Sequence, residues 1–413
     1  MRSPDPESTL NQQVEILRLL RAHGALTRRQ LSERTGYSVS LVRQLTEALV
    51  EQGLIEPRGS HAAEPRGRPS QLWSLAPDAC IALGLDVSSH LTQVVALNAH
   101  GDLMLRHTIP TPHSETPEAF LSDLAEFITA AVRELGPQAK AVSGLGVAYG
   151  GFVDFKRGLS LDAIHIAHSF ELPLQRRLST MTGGLPVIVD DRARAMALAE
   201  ARYGAARDHS DCICVNVSVG IGTGIILDGQ LFRGPLGLAG ELGHIPILHG
   251  GRPCRCGGRG CLETLASSAV LEAHGRDLIA QGVPTLLHDL CEGVPSRLTV
   301  ELIRRAAEAG DAPALALFEY ASQWLGAAVA TLVNLFSVEL IVLTGSVMRG
   351  NPILLDMVRE QARPQFVPYI RDHVQLVLTE LDDSAPALGA ATFVLDTEFE
   401  QGFAERLKQQ VHM

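Results

Sequence analysis

Apolar residues recur at helical spacing from the start of the chain. Residues 11–23 (NQQVEILRLLRAH) put Val14, Leu17 and Leu20 on one helical face, and Gly24 stops the run. Thr27-Arg28-Arg29-Gln30 is a capping box that opens a short helix carrying Leu31, broken at Gly36. Ser38 caps a third helix with Leu41, Val42, Leu45 and Leu49 at helical spacing, ended by Gly53. An extended piece begins at Leu54-Ile55, a Gly/Pro/Arg loop covers residues 57–69, and residues 71–75 (QLWSL) alternate like a strand. Three short helices and a two-stranded wing predict a winged helix-turn-helix. A plain three-helix bundle accounts for the helices but leaves the polar face of the third helix and the Arg-rich wing unexplained.

Pro77 marks a linker, and the rhythm changes after it. Residues 81–99 read as strand, turn and strand, residues 116–134 as a helix, and Val142–Val147 as a buried strand ending in Gly150-Gly151. Val187–Val189 predicts a strand that runs into a helix through Ala193–Tyr203. Ile213–Val217 and Ile225–Leu227 predict a hairpin around a glycine-rich turn. From about residue 300 the chain reads as helical, except for strands at Leu340–Leu343 and near Val374–Leu378. Hairpins, crossover helices and Gly-rich turns together predict α/β lobes with a cleft between them.

The chain has 413 residues, enough for two or three domains, with 46% hydrophobic and 20% charged residues. It lacks an apolar run of eighteen or more residues, and its first residues have no apolar stretch after their charge. The expectation is a cytoplasmic protein with no membrane partner. A net charge of −11 by itself argues against nucleic acid. Residues 1–75, however, hold ten Arg and no Lys against eight Asp plus Glu, net +2, which leaves −13 for the rest. That asymmetry suits DNA docking through one end.

Recognition helices read base edges with polar side chains near their N-termini. Here those are Ser38, Ser40, Arg43 and Gln44, opposite the apolar face. Arg pairs with guanine and Gln with adenine through two hydrogen bonds each. Arg66 and Arg68 flank Gly67 in the wing, a pattern suited to a narrow minor groove.

Three of the seven cysteines fall within eight residues. His244, Cys254, Cys256 and Cys261 supply one imidazole and three thiolates, the ligand set of a closed structural zinc site. Four protein ligands leave no open position for catalysis. The remaining cysteines, Cys80, Cys212, Cys214 and Cys291, read as buried thiols. The run Gly220-Ile221-Gly222-Thr223-Gly224 suits a tight hairpin or a phosphate-binding turn, but it opens no helix, so a dinucleotide-binding reading fails.

Several segments converge on one resemblance: Gly229–Arg233 (GQLFR), residues 239–244 (AGELGH), residues 254–263 (CRCGGRGCLE), residues 332–335 (LVNL) and residues 387–391 (ALGAA). With the helix-turn-helix and Gly67-Arg68-Pro69, the chain resembles the repressor branch of the ROK family over about residues 11–395. The resemblance implies a two-lobed, actin-like (ribonuclease-H-like) sugar-kinase fold behind the winged head. Boundaries follow: 1–76 for the head, 80–192 for the first lobe with a C-terminal helix at 387–400 returning to it, and 193–386 for the second lobe. It also implies a sugar held by Glu241, His244 and Glu263, with zinc orienting His244.

The sequence departs from the kinases of that family. Their Asp-x-Gly-Gly-Thr becomes Asp86-Val87-Ser88-Ser89-His90, and their Glu-Asn-Asp-Ala-Asn becomes Asp190-Asp191-Arg192-Ala193-Arg194. Arg192 stands where the catalytic base is expected, and a guanidinium cannot accept a proton. Asp191 replaces it only if the register slips by one residue. A later glycine pair is Gly345-Ser346. The expected function is therefore a non-enzymatic, sugar-controlled repressor of carbohydrate genes, acting on an operator as a homodimer or tetramer. The alternatives are an ATP-dependent sugar kinase with an appended DNA-binding domain, and a zinc-stabilised scaffold for a protein partner. Arg192 and Arg194 add positive charge beside Asp191, from which an anionic sugar derivative is expected as ligand unless one or both arginines pair internally with Asp190 or Asp191.

Overall fold

The computed structural model describes residues 6–61, 70–162 and 171–411. Its N-terminal head holds helices α1 (Pro6–His23), α2 (Arg28–Thr35) and α3 (Val39–Glu51). Leu17, Leu20, Leu31, Val42, Leu45 and Leu49 interlock in one core, each nearly or fully buried. The capping box is formed: Gln30 N–H donates to Thr27 Oγ1 at 3.2 Å, and Thr27 N–H to Gln30 Oε1 at 2.9 Å. Leu41 N–H donates to Ser38 Oγ, which fixes the start of α3. The wing has one strand more than expected. β1 (Leu26–Thr27) joins β2 (Ile55–His61) and β3 (Ser70–Leu75) in the order β1-β3-β2. Two residues are too short to show an alternation, so only pairing across the fold reveals β1. Arg66 and Arg68 lie outside the described residues.

A five-stranded sheet follows, in the order β10-β7-β4-β5-β6. It comprises β4 (Ile81–Val87), β5 (Leu91–Leu97), β6 (Leu103–Pro110), β7 (Val142–Tyr149) and β10 (Val187–Asp191). β4 and β10 run parallel to β7, while β4, β5 and β6 form an antiparallel meander. Helices α4 (Pro117–Glu134) and α5 (Leu174–Met181) cover one face. The other face receives a C-terminal helix, Ala385–Thr397. That helix lies so close that a Cβ on Gly146 or Gly84 would sit 1.8 or 2.0 Å from the carbonyl oxygens of Ala390 and Ala387. A small hairpin, β8 (Phe152–Asp154) with β9 (Leu159–Asp162), leaves the end of β7.

The second sheet runs β13-β12-β11-β14-β15. Its strands are β11 (Cys212–Val217), β12 (Ile221–Leu227), β13 (Gln230–Leu231), β14 (Leu340–Thr344) and β15 (Gln375–Leu378), backed by the long helix Ala312–Phe336. Between the sheets runs α6 (Arg192–Tyr203), which continues directly from β10. The glycine run departs from expectation. Gly222 and Gly224 lie inside β12, not in the turn, paired with Asn216 and Cys214. A Cβ on Gly224 would meet Ala197 Cβ at 2.3 Å and Ala193 O at 2.7 Å. These glycines let α6 settle onto the sheet, so they serve packing rather than phosphate.

Candidate functional site

Where β10 hands over to α6, four charged residues fall within five positions, and one of them, Arg192, meets the end of β4. Asp191 is the N-cap of α6: its Oδ1 accepts from Ala193 N–H at 2.8 Å and Arg194 N–H at 3.1 Å. Arg192 forks onto Asp86 of β4, Nε to Oδ1 at 2.8 Å and Nη2 to Oδ2 at 3.2 Å. Arg194 is only 1% exposed and its Nε donates to Asp190 at 2.6 Å. Arg233 holds the other oxygen of Asp190 at 2.7 Å and lies over the Phe155 ring.

Arg192 and Arg194, from which an anionic ligand was expected, are thus each paired with a carboxylate. The charges of Arg192 and Arg194 are already countered by Asp86 and Asp190, one turn or one strand away. Around the cleft, Asp86, Asp190, Asp191, Glu241 and Glu263 outnumber Arg192, Arg194 and Arg233. Carboxyl groups so placed accept hydrogen bonds from neutral hydroxyls. Burial pushes the Glu241 carboxyl up to about 7, with Asp191 adding to the rise and Arg194 opposing it. Burial also raises Asp86 and Asp191 above the usual carboxylate range, against the pull of Arg192 and Arg194 respectively.

Glu241 and His244 sit on a short turn after β13. Glu263 opens a one-turn helix, and one of its oxygens accepts from Ile221 N–H at 3.0 Å. His244 Nδ1 lies 3.6 Å from Cys254 Sγ, and Cys256 Sγ lies 3.7 Å from Cys261 Sγ. All four ligand atoms fall within 4.8 Å of one another. A tetrahedron with metal–sulfur bonds of about 2.3 Å has edges of about 3.8 Å, so the spacing fits a four-coordinate metal ion. The loop is wound for it: Cys254 N–H donates to Gly258 O and Gly257 N–H to Cys254 O. With Nδ1 aimed at the thiolates, Nε2 is the nitrogen of His244 left for another partner.

Sequence reasoning assigned no role to three residues that join the lobes here. The Phe152 ring lies 5.1 Å from that of His244, Lys156 Nζ donates to Pro235 O at 2.7 Å, and Arg233 reaches Asp190. Phe152 and Lys156 belong to a hairpin whose strands are too short to register as periodic. Arg233 was visible in the GQLFR segment, but its partner was not. Both segments that depart from the family's kinases carry hydrogen bonds within the protein. Ser88 Oγ donates to Leu91 O at 2.8 Å, and Ser346 N–H donates to Ser218 Oγ at 3.1 Å.

On the head, Ser38, Ser40, Arg43 and Gln44 share one exposed face of α3. Arg43 is held by Glu47 one turn later, Nε to Oε1 at 2.8 Å. Arg28 of α2, unassigned from sequence, lies over the Trp73 ring of the wing at 4.7 Å.

The family model for the ROK family matches residues 82–397, about three quarters of the chain. The chain belongs to the ROK family. A winged helix-turn-helix DNA-binding model matches residues 11–56. Among curated ROK relatives, the xylose repressor of Caldicellulosiruptor bescii is 28% identical over 94% of this chain and 96% of its own. The DNA-binding transcriptional dual regulator NagC of Escherichia coli K12 is 29% identical over 92% and 91%. A solved ROK family transcriptional regulator, described as a homolog of the E. coli MLC protein, superposes with a TM-score of 0.82 at 27% identity, covering 97% of this chain and all of the other. A ROK glucokinase from Streptomyces griseus, solved with glucose and AMPPNP, gives 0.66 at 29% identity over 76% of this chain. The kinase comparison stops short of the head, whereas the regulators span it.

Proposed function

We propose that the chain is a DNA-binding transcriptional repressor of carbohydrate genes whose operator affinity changes when a sugar binds between its two lobes. The observation that carries this reading is the winged head continuous with a ROK domain, an architecture shared with the repressors over more than nine tenths of each chain. Ser38, Ser40, Arg43 and Gln44 read base edges, and Arg66 and Arg68 of the wing reach a minor groove. Two copies of the chain place two heads on successive half-sites.

Glu241, Asp191 and Glu263 accept from sugar hydroxyls, and His244 Nε2 donates to one. The metal is zinc, held by His244, Cys254, Cys256 and Cys261; it fixes the imidazole and braces the loop. The surplus of carboxylate selects a neutral sugar over its phosphate or acid. Sugar binding favours one lobe or dimer arrangement over another, and operator affinity follows that population.

Phosphoryl transfer needs a base where Arg192 now grips Asp86, and the guanidinium stays protonated at any working pH. The reading is tested by titrating the purified chain against genomic fragments with and without neutral sugars. Specific fragments whose affinity shifts with one sugar support it; the absence of any specific fragment at every salt concentration overturns it. The glucokinase similarity keeps the enzyme reading open to one assay. ATP-dependent turnover of a sugar that Asp191→Asn abolishes would establish a kinase.

A further inference from the structure

A cavity of about 480 Å³ lies where the head meets the body and shares no residue with the His/Cys cluster. Its walls come from α1, the loop around Gly101, the end of α6 with the loop after it, and the end of the C-terminal helix. Arg18, Arg21, Arg202 and Arg207 line it, against only two lining carboxylates, Asp396 and Glu400. In a chain of net charge −11 this is a local reversal of sign.

The way the four guanidiniums are held matters more than their number. Arg21 and Arg202 share one carboxylate: Arg21 pairs with Asp396 Oδ1, and Arg202 lies 3.6 Å from Oδ2. Arg18 meets no carboxylate there. Its Nε and Nη2 donate to the carbonyls of Phe399 and Glu400 at 2.9 and 2.8 Å, on a π turn that spans Glu398–Gly402. Arg207 is exposed and has no ion-pair partner among the described residues. Positive charge is therefore in excess, and two of its carriers are held in place by carbonyls and by the Phe399 ring, 4.5 Å from the Arg21 guanidinium. Planar guanidiniums fixed in this way present donor forks to a doubly charged oxyanion. The volume lies in the range of small-molecule sites.

We propose that this cavity is a second ligand site, separate from the sugar cleft, for a small dianion bearing a phosphate monoester or two carboxylates. The ligand bridges Arg18 and Arg21 of the head to Arg202 and Arg207 of the body. It therefore restrains how the head is carried. α6 links this site to the other: it starts at the cleft with Asp191 as its cap and ends at the cavity, about 18 Å away at 1.5 Å per residue over its 12 residues.

The experiment is calorimetry on the full chain at matched ionic strength. The probes are glycerol 3-phosphate, inorganic phosphate and succinate, with glycerol and chloride as controls. Saturable one-site binding is expected for the phosphate arm, the succinate arm or both, and the responding arm names the chemistry. Arg207→Gln, at an exposed and unpaired position, is expected to weaken that binding about tenfold, the scale of one charge-assisted hydrogen bond. Glu263→Gln in the sugar cleft is expected to leave it unchanged. The proposal is overturned if none of the probes binds beyond the chloride control. It is equally overturned if Arg207→Gln binds as well as the parent, or if Glu263→Gln abolishes binding, which would place the anion in the sugar cleft. Loss of operator affinity in Arg207→Gln without any small-anion binding would make the cavity a DNA-phosphate contact, and the proposal would fail.

Discussion

Arg192 and Asp86 are 106 positions apart, and two parallel N–H···O contacts join them across the base of the cleft. They occupy the two segments in which ROK kinases, by resemblance, keep their phosphate-loop and catalytic aspartates. In this chain each charge of the pair is countered by the other. Asp86 is buried and Arg192 is about a quarter exposed. Removing one partner leaves a poorly solvated charge, whereas removing both does not.

Asp86→Ala is therefore expected to lower unfolding stability by about 3 kcal/mol, and Asp86→Ala with Arg192→Met by clearly less. Urea unfolding of the two variants and the parent measures this. With Arg192→Met alone as the fourth corner of the cycle, a loss in the double variant equal to the sum of the two single losses would show that the pair is not coupled.

Metal content follows the four-donor cluster. Elemental analysis of the purified chain is expected to find one zinc per chain, and Cys256→Ser to lose most of it. Chelation is expected to lower the melting temperature and to weaken sugar binding, because His244 then loses its fixed orientation. A full metal complement in Cys256→Ser would remove that thiolate from the ligand set.

The glycines of β12 separate packing from phosphate binding. Gly224→Ala places a methyl 2.3 Å from Ala197 Cβ and 2.7 Å from Ala193 O. Overpacking of this kind is expected to cost about 3 kcal/mol or to prevent folding, with or without nucleotide present. A variant of parental stability would mean that α6 does not sit against the strand.

On the DNA face, Arg43→Ala and Gln44→Ala are each expected to weaken operator binding by about 1–3 kcal/mol and to relax discrimination at one base pair. Glu47→Ala frees Arg43 from its intrahelical pair and removes a negative charge near phosphate. It is expected to raise affinity for any DNA sequence, most strongly at low salt. Competition binding against operator and scrambled duplexes separates the two effects.

Much of the head was legible because its signals are local. A capping box spans four residues, a helix N-cap reaches three positions on, and an apolar stripe repeats within one helix. Thr27, Gln30 and Ser38 act within those distances, and their hydrogen bonds form as read. The Cys/His block was legible for the same reason, since three of its ligands lie within eight residues. Strands outside such local patterns were less visible. β1 is two residues long, and the β8–β9 hairpin is too brief for periodicity to register. The glycine run was legible as glycines but not as a site of close helix approach, because the atoms it avoids, Ala193 O and Ala197 Cβ, lie about thirty positions earlier.

The sequence by itself determined which side chains carry charge, sulfur and donor groups, and which short stretches become helix or strand, because those follow from spacing along the chain. Only the tertiary structure decided what each charge faces. Arg194 pairs with Asp190 four positions earlier, which the spacing along the chain already allows, but only β4 brings Asp86 against Arg192 from 106 positions away. Arg18 and Arg207 drew no notice in the sequence, yet folding sets them in a cavity with too few carboxylates. Electrostatic interaction depends on distance through space, and only packing brings residues so far apart in sequence to within 3 Å.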